Sequence, residues 1–345
     1  MEIFAGILLI SIGAFSSGSF AVPFGRIKGW NWETYWMVFS LGAYIVFPLL
    51  ACFVFAPVFL DAICLASKKT ILLVFALGAV YGIGNLSFGL ALRYLGLSLG
   101  YALSLGLMLA IGTFIPPAID GRLEMMFESS GGNKLLTGVV VATVGIGFSA
   151  WAGVLKDRSI SSEKKRESIG EFDLLKGIFA ALLVGLTGST MALGFEQGMP
   201  IAGIAEQGNT DPLFSMMPVY FVFLLGTFLT TLIWCFFLGV KNRSIVNYAG
   251  AKNNRILTLN YVFGLLAGLL WFSQFIFYGM GKSKMGPFTF TSWGILMALT
   301  IAFATVWGLI RGEWRGASAR AYAIMTMSLL ILIYASFMIG ISGSE

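Results

Sequence analysis

Apolar runs of bilayer length recur along the whole chain, separated by short polar connectors, and this alternation sets the class of protein before any motif is considered. A hydrocarbon core about 30 Å thick needs ~20 apolar residues per helix. Ten such stretches can be marked: Ile3 to Val22, Tyr35 to Phe55, Ile71 to Leu92, Leu97 to Pro116, Leu135 to Leu155, Gly177 to Phe195, Leu213 to Val240, Leu257 to Tyr278, Pro287 to Ile310 and Tyr322 to Ile341. In lipid the backbone must satisfy its own polar groups, so runs of this kind are helices. The pattern predicts an all-α integral membrane protein with ten transmembrane helices. Few residues separate the third and fourth runs, so a tight turn is expected there.

Composition agrees. The chain is 58% hydrophobic and 11% charged, where soluble domains carry roughly 25% charged residues. Met1 and Glu2 offer neither a basic start nor a route to a small-residue cleavage site, so the first span is expected to stay. Cys52, Cys64 and Cys235 form no spaced set and read as apolar filler rather than a metal site or disulfide framework. No cofactor or metal is expected.

The excess of six positive charges raises the question of an acidic partner. Its distribution answers it. Most lysines and arginines fall in the connectors after the first, third, fifth, seventh and ninth spans, among them Arg26, Arg93, Lys164, Lys241 and Arg311. The positive-inside rule then places the odd connectors in the cytoplasm and both termini on the outer, periplasmic side of an inner membrane. The basic balance sets orientation in the bilayer, and no nucleic-acid partner is implied.

The one long polar segment, "KDRSISSEKKRESIGEFD" from Lys156 to Asp173, divides the spans five and five. With an odd number in each half, two halves of like fold must be inserted upside down relative to one another, the inverted-repeat plan of many transporters. Residues 1–155 are therefore read as a first five-helix repeat, 156–176 as a cytoplasmic linker and 177–345 as a second repeat. "GAVYGIGNLSFG" from Gly78 resembles "GLLAGLLWFSQF" from Gly264, which supports the pairing.

Glycine density in "YGIGNLSFGLALRYLGLSLG", Tyr81 to Gly100, invites comparison with a phosphate-binding loop. The spacing excludes it. A dinucleotide fingerprint needs G-x-G-x-x-G and a P-loop needs Gly-Lys-Ser/Thr, whereas Gly82 and Gly84 are followed by Gly89, Leu90 and Ala91. In lipid, small residues instead let two backbones approach closely, so Gly78, Gly82, Gly89, Gly96 and Gly100 are read as packing surfaces.

Polar side chains inside the spans are costly and hence candidates for function. Tyr81 and Asn85, four apart, share one helical face. Trp271, Gln274 and Tyr278 share another, and Thr289, Thr291, Ser292 and Trp293 open the ninth span. Amides beside aromatic rings suit a neutral polyhydroxylated ligand such as a sugar, whose C–H face lies on the ring while its hydroxyls bond the amides. The alternative for Asn85 and Gln274 is interhelical hydrogen bonding with no ligand. Trp30, Trp32, Trp36 and Trp314 lie near span ends, as an interfacial belt would. The chain has no histidine, so any proton relay needs a carboxylate; Glu33, Glu196 and Asp211 all sit at span ends. Arg93 is either a gate residue pairing with Glu33 or a snorkelling side chain. Nothing converges as nucleophile, base or metal ligand, so an enzyme is not expected. A membrane sugar sensor would use the same pocket without turnover.

The residues resemble those of the L-rhamnose/proton symporters of the drug/metabolite transporter superfamily. The resemblance is carried in order by "WNWETYW" (Trp30 to Trp36), "GIGNLSFGLALRYLGLSLG" (Gly82 to Gly100), "GGNKLLTG" (Gly131 to Gly138), "TDPL" (Thr210 to Leu213) and "LLWFSQFIFYGMG" (Leu269 to Gly281). It implies ten helices in two inverted repeats, a central cavity and uptake of L-rhamnose with a proton, with the sugar, H⁺ and the lipid bilayer as partners. Transport of another sugar or small metabolite is the alternative. The substrate-binding candidates are Tyr81, Asn85, Trp271, Gln274, Tyr278, Thr289 and Trp293; the candidates for proton coupling or gating are Glu33, Arg93 and Asp211. The family pattern carries an aspartate shortly before the Ser-Trp pair of the ninth span, where this chain has "FTFT" with Thr289. The segment Glu196 to Asn209 also lacks the lysine and histidine of relatives.

Overall fold

A computed structural model describes residues 2–119, 130–159, 171–250, 254–285 and 292–342. Among them there are helices and turns and no strand. Seven helical stretches are long and apolar enough to cross a bilayer: Ile3–Arg26, Trp32–Phe55, Lys68–Ile111, Leu136–Lys156, Leu174–Gln207, Pro212–Lys241 and Asn254–Ser283; Ile295–Ile310 and Ala319–Ala335 are shorter apolar helices. Their outward side chains include Leu72, Phe179, Ile233 and Leu330, all exposed. In water so much apolar surface would drive association; in a bilayer, lipid tails solvate it. The chain is a multi-pass membrane protein.

The helices are α1 (Glu2–Ser19), α2 (Trp32–Leu41), α3 (Phe47–Phe55), α4 (Phe59–Leu65), α5 (Lys68–Ile119), α6 (Ser130–Ser159), α7 (Leu174–Gly188), α8 (Thr190–Gln197), α9 (Met199–Gln207), α10 (Met217–Lys241), α11 (Asn254–Ser283), α12 (Ser292–Ile310) and α13 (Ala319–Ser342). A π-helical turn, Gly42–Val46, joins α2 to α3. The chain divides into two compact units, Met1–Gly18 with Gly84–Ser189 and Met280–Glu345, and Ser19–Ile83 with Thr190–Gly279. Each draws on both halves of the sequence, and the chain passes from one to the other within α1, α5 and α11 and between α7 and α8.

In the first unit, α6 and α13 pack along their length, where Ser149 and Ser328 hydrogen-bond side chain to side chain and Ser328 Oγ also donates to the Gly145 carbonyl at 2.9 Å. Leu95, Leu99, Leu103, Ile301, Trp314, Met325 and Leu332 belong to its core. Asp173 opens α7, accepting from the Lys176 amide, and this donor holds its carboxyl below the usual carboxylate range.

The expected tight turn is a single residue. Within α5, Gly96 alone leaves helical geometry, at φ 79° and ψ −178°, a conformation that glycine adopts without a Cβ penalty. A helix restarting at Leu97 has amides with no intrahelical acceptor. Glu313, in the connector between α12 and α13, supplies one: its carboxylate accepts from the Leu97 amide at 2.8 Å and the Ser98 amide at 3.3 Å, and it is 3% exposed. A carboxylate here also meets the positive end of the helix dipole. Glu313→Ala leaves those buried donors unpaired, at about 1–3 kcal/mol for each; a lowered thermal unfolding midpoint in detergent, with Glu313→Gln intermediate, is the expected result.

In the second unit, glycines bring backbones together as their density suggested. A Cβ on Gly78 would lie 1.9 Å from the Phe223 carbonyl oxygen, and one on Gly226 2.0 Å from that of Phe75. Thr227 and Thr230 of α10 use this proximity, donating to the carbonyls of Gly78 at 3.0 Å and Ala79 at 2.7 Å. On α11, Gly264 abuts Val38, and Gly268 abuts Phe39, Gly42 and Ala43.

The tryptophans near span ends do not all form a belt. Trp32 and Trp36 are buried and stack at 5.2 Å, and Trp314 is buried in the core of the first unit. These large rings fill space between helices, and burial there outweighs the interfacial preference. Cys52 and Cys235 are buried and Cys64 is exposed; all three are free thiols.

Candidate functional site

Four of the aromatic and amide candidates lie in the second unit. Trp271, on α11, is 4% exposed and closely surrounded: Tyr44 at 5.3 Å, Phe275 at 5.3 Å and Phe39 at 6.4 Å all meet it nearly edge to face. Gln274 is 7% exposed and donates through Nε2 to the Trp271 carbonyl at 2.8 Å, one turn back on its own helix. That bond fixes the amide and leaves Oε1 as its acceptor. Tyr81, on α5, packs against Phe223 at 5.4 Å and lies within electrostatic reach of Tyr44. Tyr278 lies similarly near Tyr220, whose ring meets Phe275 at 5.1 Å. Tyr81, Trp271 and Tyr278 therefore border one aromatic group that includes Tyr44, Phe195, Phe223, Phe275 and Tyr220, and Gln274 joins it through the Trp271 carbonyl.

Asn85 belongs to the first unit, one turn after Tyr81 on α5, and is 3% exposed. Thr289 lies outside the described residues. Trp293 is the second residue of α12, and its side chain lies outside them as well.

The charged candidates differ sharply in setting. Glu33, in the first turn of α2, is 4% exposed. Its Oε1 accepts from Asn242 Nδ2 at 3.0 Å and Ser244 Oγ at 2.6 Å. Asn247 extends this group by donating to Asn31 at 3.2 Å and Thr34 at 3.4 Å. Cys235 and Tyr248 are close enough to feel the Glu33 charge. Burial, before all else, drives the Tyr248 phenol well up, so it stays neutral around pH 7. Asp211 is exposed and caps a short 3-10 turn by accepting from the Leu213 amide at 2.9 Å. Arg93, half-buried, pairs with Glu171 at 2.5 Å.

The model of the L-rhamnose-proton symport protein (RhaT) family matches residues 1–344. The chain belongs to that family. It is 31% identical over 343 residues to the L-rhamnose-proton symporter of Yersinia pestis (strain Pestoides F), covering 98% of each chain. It is 32% identical over 338 residues to that of Citrobacter koseri, covering 97% of this chain and 96% of the relative. No solved structure matches it. A member of the L-rhamnose-proton symport family is a transporter and not an enzyme.

For this symport family member, sequence reasoning missed Tyr44 and Glu313. Tyr44 had a signal: Pro48, four residues on inside an apolar run, marks an irregular helix. Glu313 had none, because its donors lie in another part of the sequence.

Proposed function

We propose that this chain imports L-rhamnose together with a proton across the inner membrane, by alternating access between two inverted five-helix repeats. The observation that carries the reading is the full-length family match, joined to a buried amide and indole in adjacent turns of α11. L-rhamnose is a deoxyhexose, with hydroxyls for an amide and an apolar face and methyl for a ring. Trp271 and Tyr278 serve as the apolar wall, and Gln274 Oε1 as a hydrogen-bonding group.

The repeat arrangement is supported by the glycine contacts. One step along the sequence takes Gly78 to Gly264 and Gly82 to Gly268; the same step, to within one residue, takes their neighbours Val38 to Phe223 and Gly42 to Thr227. Helix packing thus repeats with partners exchanged. The break at Gly96 divides the long α5 into two spans, and with the shorter apolar helices this favours ten. The positive-inside distribution favours termini on the outer face.

For the proton, Glu33 is the better-placed carboxylate. It is buried, and its partner Ser244 can either donate to a carboxylate or, by rotating its hydroxyl, accept from a carboxylic acid. Asp211 is exposed and engaged in capping. For Arg93, the ion pair with Glu171 supports a gating role that runs through that pair.

The test is uptake of labelled L-rhamnose into proteoliposomes with and without an inward proton gradient. Accumulation that collapses on adding a protonophore is expected; equilibration without accumulation overturns the coupling, and no uptake overturns the substrate. Gln274→Ala is expected to raise KM about tenfold, the worth of one hydrogen bond to a sugar hydroxyl. An unchanged KM removes Gln274 from the site.

A further inference from the structure

The second membrane helix changes its winding at one place. Between α2 and α3, Gly42–Val46 form a π turn in which the Phe47 amide bonds back to the Gly42 carbonyl. The cause is local. Pro48 has no N–H, and in a regular α-helix its ring would strike the carbonyl four residues earlier, that of Tyr44. Widening the turn relieves the clash, and such π turns concentrate at functional positions.

The π turn is also docked. Gly268 of α11 lies so close that a Cβ there would stand 2.8 Å from the Ala43 amide nitrogen and 2.8 Å from the Phe39 carbonyl oxygen. Trp271 is one turn further along α11. The backbone contact therefore fixes the register between the middle of the π turn and the indole. At that register stands Tyr44, fully buried, its ring 5.3 Å from Trp271 at an interplanar angle of 80° and 5.8 Å from Phe39 at 77°. The Tyr44 hydroxyl also lies near the Ser40 side chain, one turn back along the chain.

We infer that Tyr44 is a positioning residue of the sugar site, which the Pro48-induced π turn holds against Trp271 so that the indole keeps the plane on which the apolar face of a deoxyhexose rests. The inference rests on the reading of Trp271 as a sugar contact. Tyr44, Phe39 and Phe275 all stand steeply to the indole and so fix its plane; with the Tyr44 contact deleted it gains rotational freedom, and sugar binding must then reorder it. A site held loosely loses affinity before it loses turnover.

The test uses the full chain labelled with 5-fluorotryptophan in nanodiscs, with the Trp271 resonance assigned by its disappearance in Trp271→Phe. Without sugar, Tyr44→Leu is expected to shift and broaden that resonance, while Tyr44→Phe, which keeps the ring, leaves it near the wild-type position. In proteoliposomes Tyr44→Leu is expected to raise KM for L-rhamnose about tenfold with Vmax within about twofold, and to weaken the preference for L-rhamnose over its 6-hydroxyl analogue L-mannose; Tyr44→Phe should retain both. An unmoved Trp271 resonance in Tyr44→Leu overturns the inference, as does a fall in Vmax at unchanged KM. A resonance that responds to Tyr44→Leu but not to saturating L-rhamnose in the wild type leaves the positioning contact standing and rejects the sugar-site reading.

Discussion

Replacing Glu33 with glutamine is expected to abolish uphill accumulation of L-rhamnose while leaving exchange of sugar across the membrane close to the wild-type rate. The change is small in shape. Glutamine keeps an oxygen that accepts from Asn242 and Ser244, so the end of α2 stays attached to the segment after α10. What disappears is the ability to take up and release a proton. One elementary charge crossing 100 mV is worth about 2.3 kcal/mol, which corresponds to roughly fifty-fold accumulation of a sugar carried with it. Glu33→Gln proteoliposomes should therefore fill only to the outside concentration, whatever the proton gradient, yet exchange labelled for unlabelled sugar in counterflow.

The contrast with Glu313 explains the choice. Both carboxylates are buried. Glu313 receives main-chain N–H donors on both oxygens, and an N–H cannot reverse to accept a proton's hydrogen bond. Glu33 has a hydroxyl partner that can. Ser244→Ala removes that partner and should change the pH dependence of uptake while Glu33→Gln removes the dependence. Asp211→Asn provides the comparison: if it, rather than Glu33→Gln, uncouples uptake from the gradient, the exposed carboxylate carries the proton.

How far the sequence reaches is set by the range of each interaction. Helical class and membrane residence were legible because a bilayer imposes a length and an apolar composition on every span. The turn between the third and fourth spans was legible from the short gap, but its residue was not: Gly96, read as a packing surface, is the one that leaves helical geometry. Other features depended on contacts that no local pattern records. Glu313 reads in sequence as an acid in a connector, and its amide donors on Leu97 and Ser98 are known only once the chain is folded. Trp32, Trp36 and Trp314 have the positions of interfacial anchors and the surroundings of core residues. Helical spacing paired Tyr81 with Asn85 and Trp271 with Gln274 as candidates, and all four are buried in the folded chain. Tyr44 was not found this way, because a π turn shifts which side chains share a face and the ordinary period misses it.

The largest effect on folding is expected where two backbones touch. Gly78→Ala puts a methyl 1.9 Å from the Phe223 carbonyl oxygen, and Gly226→Ala puts one 2.0 Å from that of Phe75. Real Cβ atoms essentially never come within 3.0 Å of another heavy atom, and a main-chain carbonyl cannot swing aside as a side-chain end can. Either α5 and α10 separate or the substitution is not accommodated. Separation also stretches the bonds from Thr227 and Thr230 to the Gly78 and Ala79 carbonyls, and in lipid no hydrophobic gain compensates for lost packing between helices. Overpacking alone costs about 1–3 kcal/mol, and the stretched hydrogen bonds add to it. Each variant should show a marked loss of monodisperse protein in detergent and a lower unfolding midpoint. Gly147→Ala and Gly203→Ala, where an added Cβ meets nothing within 4 Å, should behave as wild type. The double substitution Gly78→Ala with Gly226→Ala should cost less than the sum of its parts, since one displacement of α5 from α10 relieves both clashes. Simple additivity would mean that the two glycines do not report on one shared helix contact.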